Sequence, residues 1–192
     1  MDLIIEKHKL ATALPAIMRA AVRLFVIKGF EATTIKDIAR EASVAEGTLY
    51  RHFPSKEALA KHLFFANLDE LTKRISARVE DAGAAVYKLR AYVEAVFAEY
   101  ERDPELFYFL ILSEHRELKP GEAEHPGMIL ERIIAEGQAS GELSAANPMT
   151  LVSLVFGTLH RLCILRKIGR ISVPLTGSAA DVASRLYLAV KS

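Results

Sequence analysis

A short run of polar and small side chains, residues 46–52, has the composition of a surface that hydrogen-bonds to nucleic acid. Apart from Leu49, it consists of Glu46, Gly47, Thr48, Tyr50, Arg51 and His52. Their carboxylate, hydroxyl, guanidinium and imidazole groups supply both donors and acceptors. Base edges in the major groove of DNA present complementary groups, and that groove is wide enough for one α-helix. The run therefore predicts a DNA-reading helix, provided that other elements hold it in place.

Apolar residues within and after this run predict the anchor. Leu49 and Phe53 are spaced to share one side of a helix, and Pro54 disfavours a helical conformation at the residue before it. The helix is then about two turns long, and a helix that short is stable only when it packs on neighbours. The predicted neighbour begins at Thr33 or Thr34, either of which can cap a helix with help from Asp37.

The spacing of these residues resembles that of the TetR/AcrR-like transcriptional repressors. The residues that match are Thr33, Thr34, Ile38, Ala39, Ala42, Val44, Gly47, Thr48, Leu49, Tyr50, His52, Phe53, Ser55, Lys56, Glu57 and Leu59. The resemblance covers about the first third of the chain. It implies a helix-turn-helix DNA-binding domain, residues 1–54, in a homodimeric, one-component regulator.

By the same resemblance, Gly47, Thr48 and His52 lie at or near bases, and Thr33, Tyr50 and Lys56 contact phosphates. The complete set of predicted DNA contacts is Thr33, Lys36, Ala45, Glu46, Gly47, Thr48, Tyr50, Arg51, His52 and Lys56. Simpler interpretations stay open for three of them. Tyr50 is also typical of the edge of a core, Arg51 of a solvated surface, and Glu46 of a first helical turn, where it complements the helix dipole.

Two residues depart from the pattern of the family. Ser43 occupies the turn position that is usually glycine, and Ala45 opens the second helix where serine is usual. A serine adopts the left-handed backbone conformation only with strain, and an alanine has no side chain with which to cap a helix. Both departures fall at the start of the DNA-reading helix.

The rest of the chain predicts an all-α protein, in which a three-helix head is joined by a long helix to a C-terminal helical bundle, residues 55–192. Residues 1–9 show no period and predict a frayed arm, and the first helix is expected from about Leu10 to Lys28. Ser55 can cap the long helix, which is predicted to reach about Asp81. Later helices are predicted after Gly83, from Glu105 to about Glu117 after a break at Asp103-Pro104, and from Met128 to about Ser140. Asn147 and Pro148 are predicted to open the next helix, which is apolar from Leu151 to Ile168, and the last helix is expected from about Ser178 to Val190.

The bundle is predicted to hold a small, mainly apolar effector, because helical bundles place ligand sites between helices and the resemblance implies such a pocket. Ordinary core packing is the alternative for each candidate. The candidates are Phe64, Leu68, Tyr92, Val96, Tyr100, Phe107, Phe109, Ile111, Phe156 and His160. The last two helices have more apolar surface than one domain needs, so we expect them to form the homodimer interface.

Charge and composition favour a cytoplasmic DNA-binding protein. Residues 1–56 contain nine Lys and Arg against six Asp and Glu, whereas residues 57–192 contain 16 against 18. The single cysteine, Cys163, excludes an intrachain disulfide, and no leader or uninterrupted apolar run of membrane-spanning length is evident. His160 and Cys163 lie one turn apart, but an apolar setting favours a core histidine over a metal ligand. No metal or cofactor is predicted.

The predicted function is a ligand-responsive transcriptional regulator, a repressor that leaves an inverted-repeat operator when its effector binds. Activation remains open. We find no nucleophile elbow, phosphate-binding glycine loop or carboxylate pair, and therefore do not expect an enzyme. Two other classes stay open, namely a small all-α enzyme that carries a DNA-binding head and a helical binding or adaptor protein whose head does not bind DNA.

Overall fold

The structure is a computed structural model that describes residues 2–119 and 121–192, with only the backbone described at residues 2–12 and 115. Over these residues the prediction of an all-α protein is confirmed. The α-helices are α1 (Asp2–Ile27), α2 (Ile35–Glu41), α3 (Glu46–His52), α4 (Lys56–Val79), α5 (Ala85–Arg102), α6 (Pro104–Glu117), α7 (Pro126–Ala139), α8 (Pro148–Lys167) and α9 (Ala179–Val190). Within the described part of the chain, β-pairing is limited to one isolated bridge between Leu143 and Lys191.

The first three helices form the head. Ile17 and Ala21 of α1, Ile38 of α2 and Leu49 of α3 are fully buried, so one small core holds all three helices together. Burying Ile17, Ile38 and Leu49 contributes roughly 1.5–3 kcal/mol for each side chain. This shared core stabilises α3, which at seven residues is too short to be stable alone.

Helix α4 continues directly from the head into the body. Ser55 caps it by accepting a hydrogen bond from the backbone N–H of Ala58, as predicted, and Leu59 and Leu63 in its first two turns are fully buried. Its later turns pack against α5. Glu99 of α5 is buried and pairs with Arg74 of α4 and with Arg102 of α5, at N···O distances of 3.0 and 2.6 Å. This carboxylate fixes α4 to the body.

Two boundaries differ from the sequence predictions. The chain is helical from Asp2, so residues 2–9 are not the predicted frayed arm; Met1 lies outside the described residues. The cause is local, because residues 2–14 contain neither glycine nor proline to interrupt a helix. A short 3-10 helix, Leu175–Ser178, which the sequence did not predict, precedes α9.

Helix α8 is the most apolar element. By length and composition alone it is long and apolar enough to cross a membrane, although a core helix of a soluble protein passes the same test. In the fold it buries Leu151, Val155 and Leu159 against the body, while Met149 and Leu154 are about half exposed. The helix therefore has one apolar side in the core and further apolar side chains on the surface.

Candidate nucleic-acid interface and effector cavity

Helix α3 is held by one side only. Leu49 is fully buried and Phe53, just after the helix, is 9% exposed. On the remaining surface Ala45, Glu46, Gly47, Tyr50 and Arg51 are exposed. Thr48 and His52 are half-buried at the edge between the two sides, so their polar atoms have not been withdrawn into the core. Lys36 of α2 is also exposed.

The turn that leads into α3 contains both departures from the family pattern. Ser43 has a φ of 56°, the left-handed conformation that favours glycine. Ala45 precedes α3 with an extended backbone and makes no side-chain cap, so an N-terminal N–H that serine normally satisfies has no such partner. Both effects were expected from the sequence. They make the start of α3 less stabilised by the protein itself.

Gly47 has no evident structural role inside the protein. A Cβ atom built on it meets no atom within 4 Å, and its φ is not positive. Glycine in a helix is less stable than alanine by about 1 kcal/mol, so neither packing nor backbone geometry explains why it is there. A glycine on an outward surface is suited to close approach by another molecule.

The side chain of Thr33 does not face solvent. It is 1% exposed, and its Oγ1 donates hydrogen bonds to the carbonyls of Gly29 at 2.8 Å and Leu24 at 3.2 Å. A hydroxyl so placed closes the end of α1 and is not available to a phosphate through its side chain. The predicted phosphate contact of Thr33 is thus corrected to a structural role.

Thr34, and not Thr33, caps α2. The backbone N–H of Asp37 donates to Thr34 Oγ1 at 3.1 Å, and the N–H of Thr34 donates to the Asp37 carboxylate at 3.2 Å. The hydrogen bond from the Thr34 hydroxyl, and then Lys28, lower the pKa of Asp37 to about 2. The low pKa keeps the carboxylate of the α2 cap ionised at neutral pH.

Lys56 is partly used by the protein. Its Nζ donates to the carbonyls of Phe30 at 2.7 Å and Glu31 at 3.3 Å, and it lies 4.3 Å from the centroid of the Phe30 ring. The ammonium has three donors, so these bonds do not exhaust it. The phosphate contact of Lys56 stays a prediction, and this side chain also ties α4 to the loop between α1 and α2.

A cavity lies between α4, α5, α6 and α8 and reaches the start of α7. Eight of the ten predicted pocket residues line it, namely Phe64, Leu68, Tyr92, Val96, Phe107, Ile111, Phe156 and His160. Its volume is about 40 Å³, which is room for only a few water molecules. Sites that bury drug-sized ligands measure roughly 300–1,000 Å³, so the structure shows a narrow form of this cavity.

Tyr100 and Phe109 do not line the cavity and are corrected. Tyr100 is buried against Phe107, with ring centroids 5.8 Å apart. Phe109 lies on another side of α6 and stacks on Phe25 of α1, at 5.9 Å between centroids. Both are core aromatics, the alternative that the sequence left open.

Sequence reasoning missed half of the lining. The additional residues are Leu71, Ile75, Leu110, Glu114, Leu118, His125, Pro126 and Leu159. Helical spacing was a usable signal for most of them, because Leu71 and Ile75 continue the row begun by Phe64 and Leu68. No comparable signal identified His125, which precedes α7 and reaches the cavity only through the tertiary fold.

His160 and Cys163, one turn apart on α8, have the surroundings of core residues. The ring of His160 lies 4.0 Å from that of Phe156, and Cys163 is fully buried, with burial raising its pKa to about 12. A thiol with so high a pKa is not a ready metal ligand. Among the residues described, no group of three or more His, Cys, Asp or Glu side chains could hold a metal ion.

Helix α6 contacts both the cavity and the head. Ile111 and Glu114 line the cavity, while Phe109 stacks on Phe25 and the guanidinium of Arg116 lies 3.9 Å from the centroid of the Phe30 ring. Helix α6, 14 residues long, is therefore one element that contacts both the lining of the cavity and the head.

Comparison with known proteins agrees with this geometry. Residues 17–63 match the family model for bacterial regulatory proteins of the tetR family. The chain is 29% identical to the transcriptional repressor KstR of Mycolicibacterium smegmatis over 85% of this chain and 78% of that protein. The chain is similar to TetR-like transcriptional regulators. A second relative, the HTH-type transcriptional regulator YerO of Bacillus subtilis, is 35% identical, but the match spans 52% of this chain and 35% of YerO.

A solved structure of a transcriptional regulator has the same fold along nearly the whole chain. It is the transcriptional regulator FadR of Bacillus subtilis in complex with stearoyl-CoA. The TM-score is 0.73, with 23% identity over 91% of this chain and 97% of that one. The head with the matched family segment and the helical body therefore occur together in that protein as they do here.

Proposed function

We propose that the protein is a homodimeric, ligand-responsive repressor that binds an inverted-repeat operator through α3 and leaves it when an apolar effector enters the body. The DNA-binding part of this proposal is supported by the packing of α3. Leu49 and Phe53 fix the helix from one side, and the residues that project from the other bear donors and acceptors for base edges. Gly47 leaves room for close contact with DNA.

The roles of individual residues follow from exposure. Thr48 and His52 read bases, helped by Arg51, whereas Lys36, Tyr50 and the remaining donor of Lys56 contact phosphates. Tyr50 is 52% exposed, which favours this role over packing at the edge of the core. Phosphate contacts set the position of the head, and base contacts set the sequence preference.

Dimerisation through α8 and α9 supports simultaneous binding by two heads. Met149, Leu154 and Leu188 are 57%, 47% and 61% exposed, and together they give these helices an apolar surface. A second copy that covers it forms a four-helix interface. Two heads about 34 to 36 Å apart, or somewhat more, then meet half-sites on one face of the duplex.

The effector half rests on the cavity and on α6. The narrow cavity accommodates an effector only after its walls separate, and α6 is one of those walls. Since α6 also contacts Phe25 and Phe30 of the head, widening the cavity shifts the heads from the spacing that the operator requires. The effector acts by binding the widened state more tightly than the narrow one. The protein acts in the cytoplasm and has no catalytic role.

The test starts from operator selection with random-sequence duplexes, followed by gel shifts at several salt concentrations. We expect an inverted repeat to be enriched and its affinity to fall steeply as salt rises. Release is then measured with ten-carbon alcohols, amines, acids and CoA thioesters, with glucose as the polar control. Absence of any enriched sequence would contradict the DNA half. An operator complex that none of the apolar compounds releases would contradict the effector half.

Oligomeric state is measured separately by analytical ultracentrifugation. The variant Leu154→Glu/Leu188→Glu is expected to sediment as a monomer and to lose binding to the full inverted repeat. Ile27→Glu is the matched control, because Ile27 is 64% exposed but lies in the head. A double variant that remains dimeric would show that α8 and α9 are not the interface.

A further inference from the structure

Three polar side chains, Tyr92, Glu114 and His125, line a cavity that is otherwise mostly apolar. The hydroxyl of Tyr92 donates to the carbonyl of Pro126 at 3.1 Å, which brings α5 to the start of α7, next to His125. Burial raises the pKa of Tyr92, and the negative charge of Glu114 contributes to a smaller extent. The three side chains thus give the cavity its hydrogen-bonding groups, together with His160.

The imidazole of His125 has unused hydrogen-bonding capacity there. Its Nδ1 is buried and has no hydrogen-bond partner among the residues described. The ring is pressed against Gly127, where an added Cβ would lie 2.9 Å from Nδ1 and Cε1, so the glycine makes room for this ring position. Buried nitrogen atoms are rarely left unpaired, because they have lost water without gaining a substitute. A polar group of an effector would supply that substitute.

Glu114 determines which polar group is favoured. It is the only Asp, Glu, Lys or Arg among the described residues that line the cavity. In a site with few water molecules, a second carboxylate beside it would be repelled strongly. A hydroxyl or an ammonium group would instead donate to its oxygens, which accept several hydrogen bonds at once.

We infer that the effector is a mainly apolar molecule whose polar end is a hydrogen-bond donor, an alcohol or an amine, and not a carboxylic acid. Its donor binds the carboxylate of Glu114, its polar atom also reaches Nδ1 of His125, and its apolar part lies between Phe64, Phe107 and Phe156. The inference rests on the proposed function, since it names the class of ligand that the same cavity takes.

Isothermal titration calorimetry of the full chain tests this preference for a hydrogen-bond donor, with ten-carbon ligands that differ only in their polar group. The probes are 1-decanol, decylamine and decanoate, all below the concentrations at which they aggregate. We expect the alcohol and the amine to bind at least tenfold more tightly than decanoate. Glu114→Gln should weaken the binding of decylamine at least tenfold and strengthen that of decanoate. His125→Phe should weaken the binding of 1-decanol.

Glu131→Gln is the matched control, because Glu131 is an exposed carboxylate on α7 that does not line the cavity, and it should leave all three affinities unchanged. Decanoate that binds as tightly as decanol overturns the inference, as does a series in which no probe binds. Neither result affects the operator complex in the gel shift. A failure of the proposed function would instead appear in that gel shift, either as absence of specific DNA binding or as an operator complex that no apolar compound releases.

Discussion

The guanidinium of Arg116, in the last turn of α6, lies 3.9 Å from the centroid of the Phe30 ring, in the loop that follows α1. The same ring is 4.3 Å from Nζ of Lys56, in the first turn of α4. One aromatic side chain of the head thus contacts cations from two helices that line the cavity. This places a specific contact between the head and two of the helices that line the cavity.

A double-mutant cycle is expected to detect this contact. Arg116→Met keeps the apolar stem and removes the charge, and Phe30→Leu removes the ring. We expect a coupling of about 0.5–1 kcal/mol in the free energy of unfolding, because Arg116 is partly exposed. Urea unfolding of the wild type, both single variants and the double variant measures it. A second cycle, which combines Phe30→Leu with Arg132→Met, is the control. A coupling of equal size in the control cycle would contradict a specific contact between Arg116 and Phe30.

Gly47→Ala should change stability and DNA binding in opposite directions. The new methyl group meets no atom of the protein within 4 Å, so the helix gains roughly 0.5–1 kcal/mol. The same methyl group occupies space that the operator needs, and operator affinity should fall at least tenfold. Thermal unfolding and gel shifts on one preparation measure both effects. If the variant is more stable and binds the operator normally, Gly47 does not lie at the DNA.

Thr48 and Lys36 should give different patterns of lost binding. Thr48→Ala is expected to relax preference at particular base positions, at a cost of about 1–3 kcal/mol for the favoured base. Lys36→Ala is expected to weaken all sequences alike and to reduce the salt slope by about one. Selection from random duplexes, with salt titrations on the enriched site, distinguishes the two. Identical profiles for both variants would remove the distinction between base and phosphate contacts.

Asp37→Asn should destabilise the head in a pH-dependent way. The pKa of Asp37 is lowered from 3.8 to about 2 in the folded protein, so its ionised form is stabilised by folding. That contribution is fully present above about pH 4 and disappears as the pH falls towards 2. The difference in melting temperature between wild type and variant should therefore shrink across this window. Asp81→Asn, in the turn after α4, is the control, and a constant difference for Asp37→Asn would exclude the charge as its cause.

Most helix boundaries were predictable because they are set by neighbouring residues. Ser55, Asp103 and Asn147 each accept a hydrogen bond from the first turn of the helix that follows. The sequence identified Ser55 and Asn147 as caps, and Asp103 with Pro104 only as a break between helices. The start of α1 was not predicted, because no capping residue marks it and the apolar period is weak there. The short 3-10 helix before α9 was also missed, because four residues carry too little pattern.

The site was less predictable, because side-chain direction depends on tertiary packing. Thr33 and Thr34 are adjacent threonines with equal local ability to cap, yet one is buried under α1 and the other caps α2. Phe107 and Phe109 are aromatics on one helix, yet one lines the cavity and the other stacks on the head. The DNA contacts and pocket residues named from the sequence therefore stay predictions until binding is measured.

The narrowness of the cavity also has a kinetic consequence. If about 40 Å³ is all that the resting protein offers, a ten-carbon chain has to wait for a spontaneous separation of the helices before it enters. The observed rate of association would then level off as effector is added, at the rate of that separation. In a cell, the delay before derepression would be set by the rate at which the helices separate, and a higher effector concentration would not shorten it.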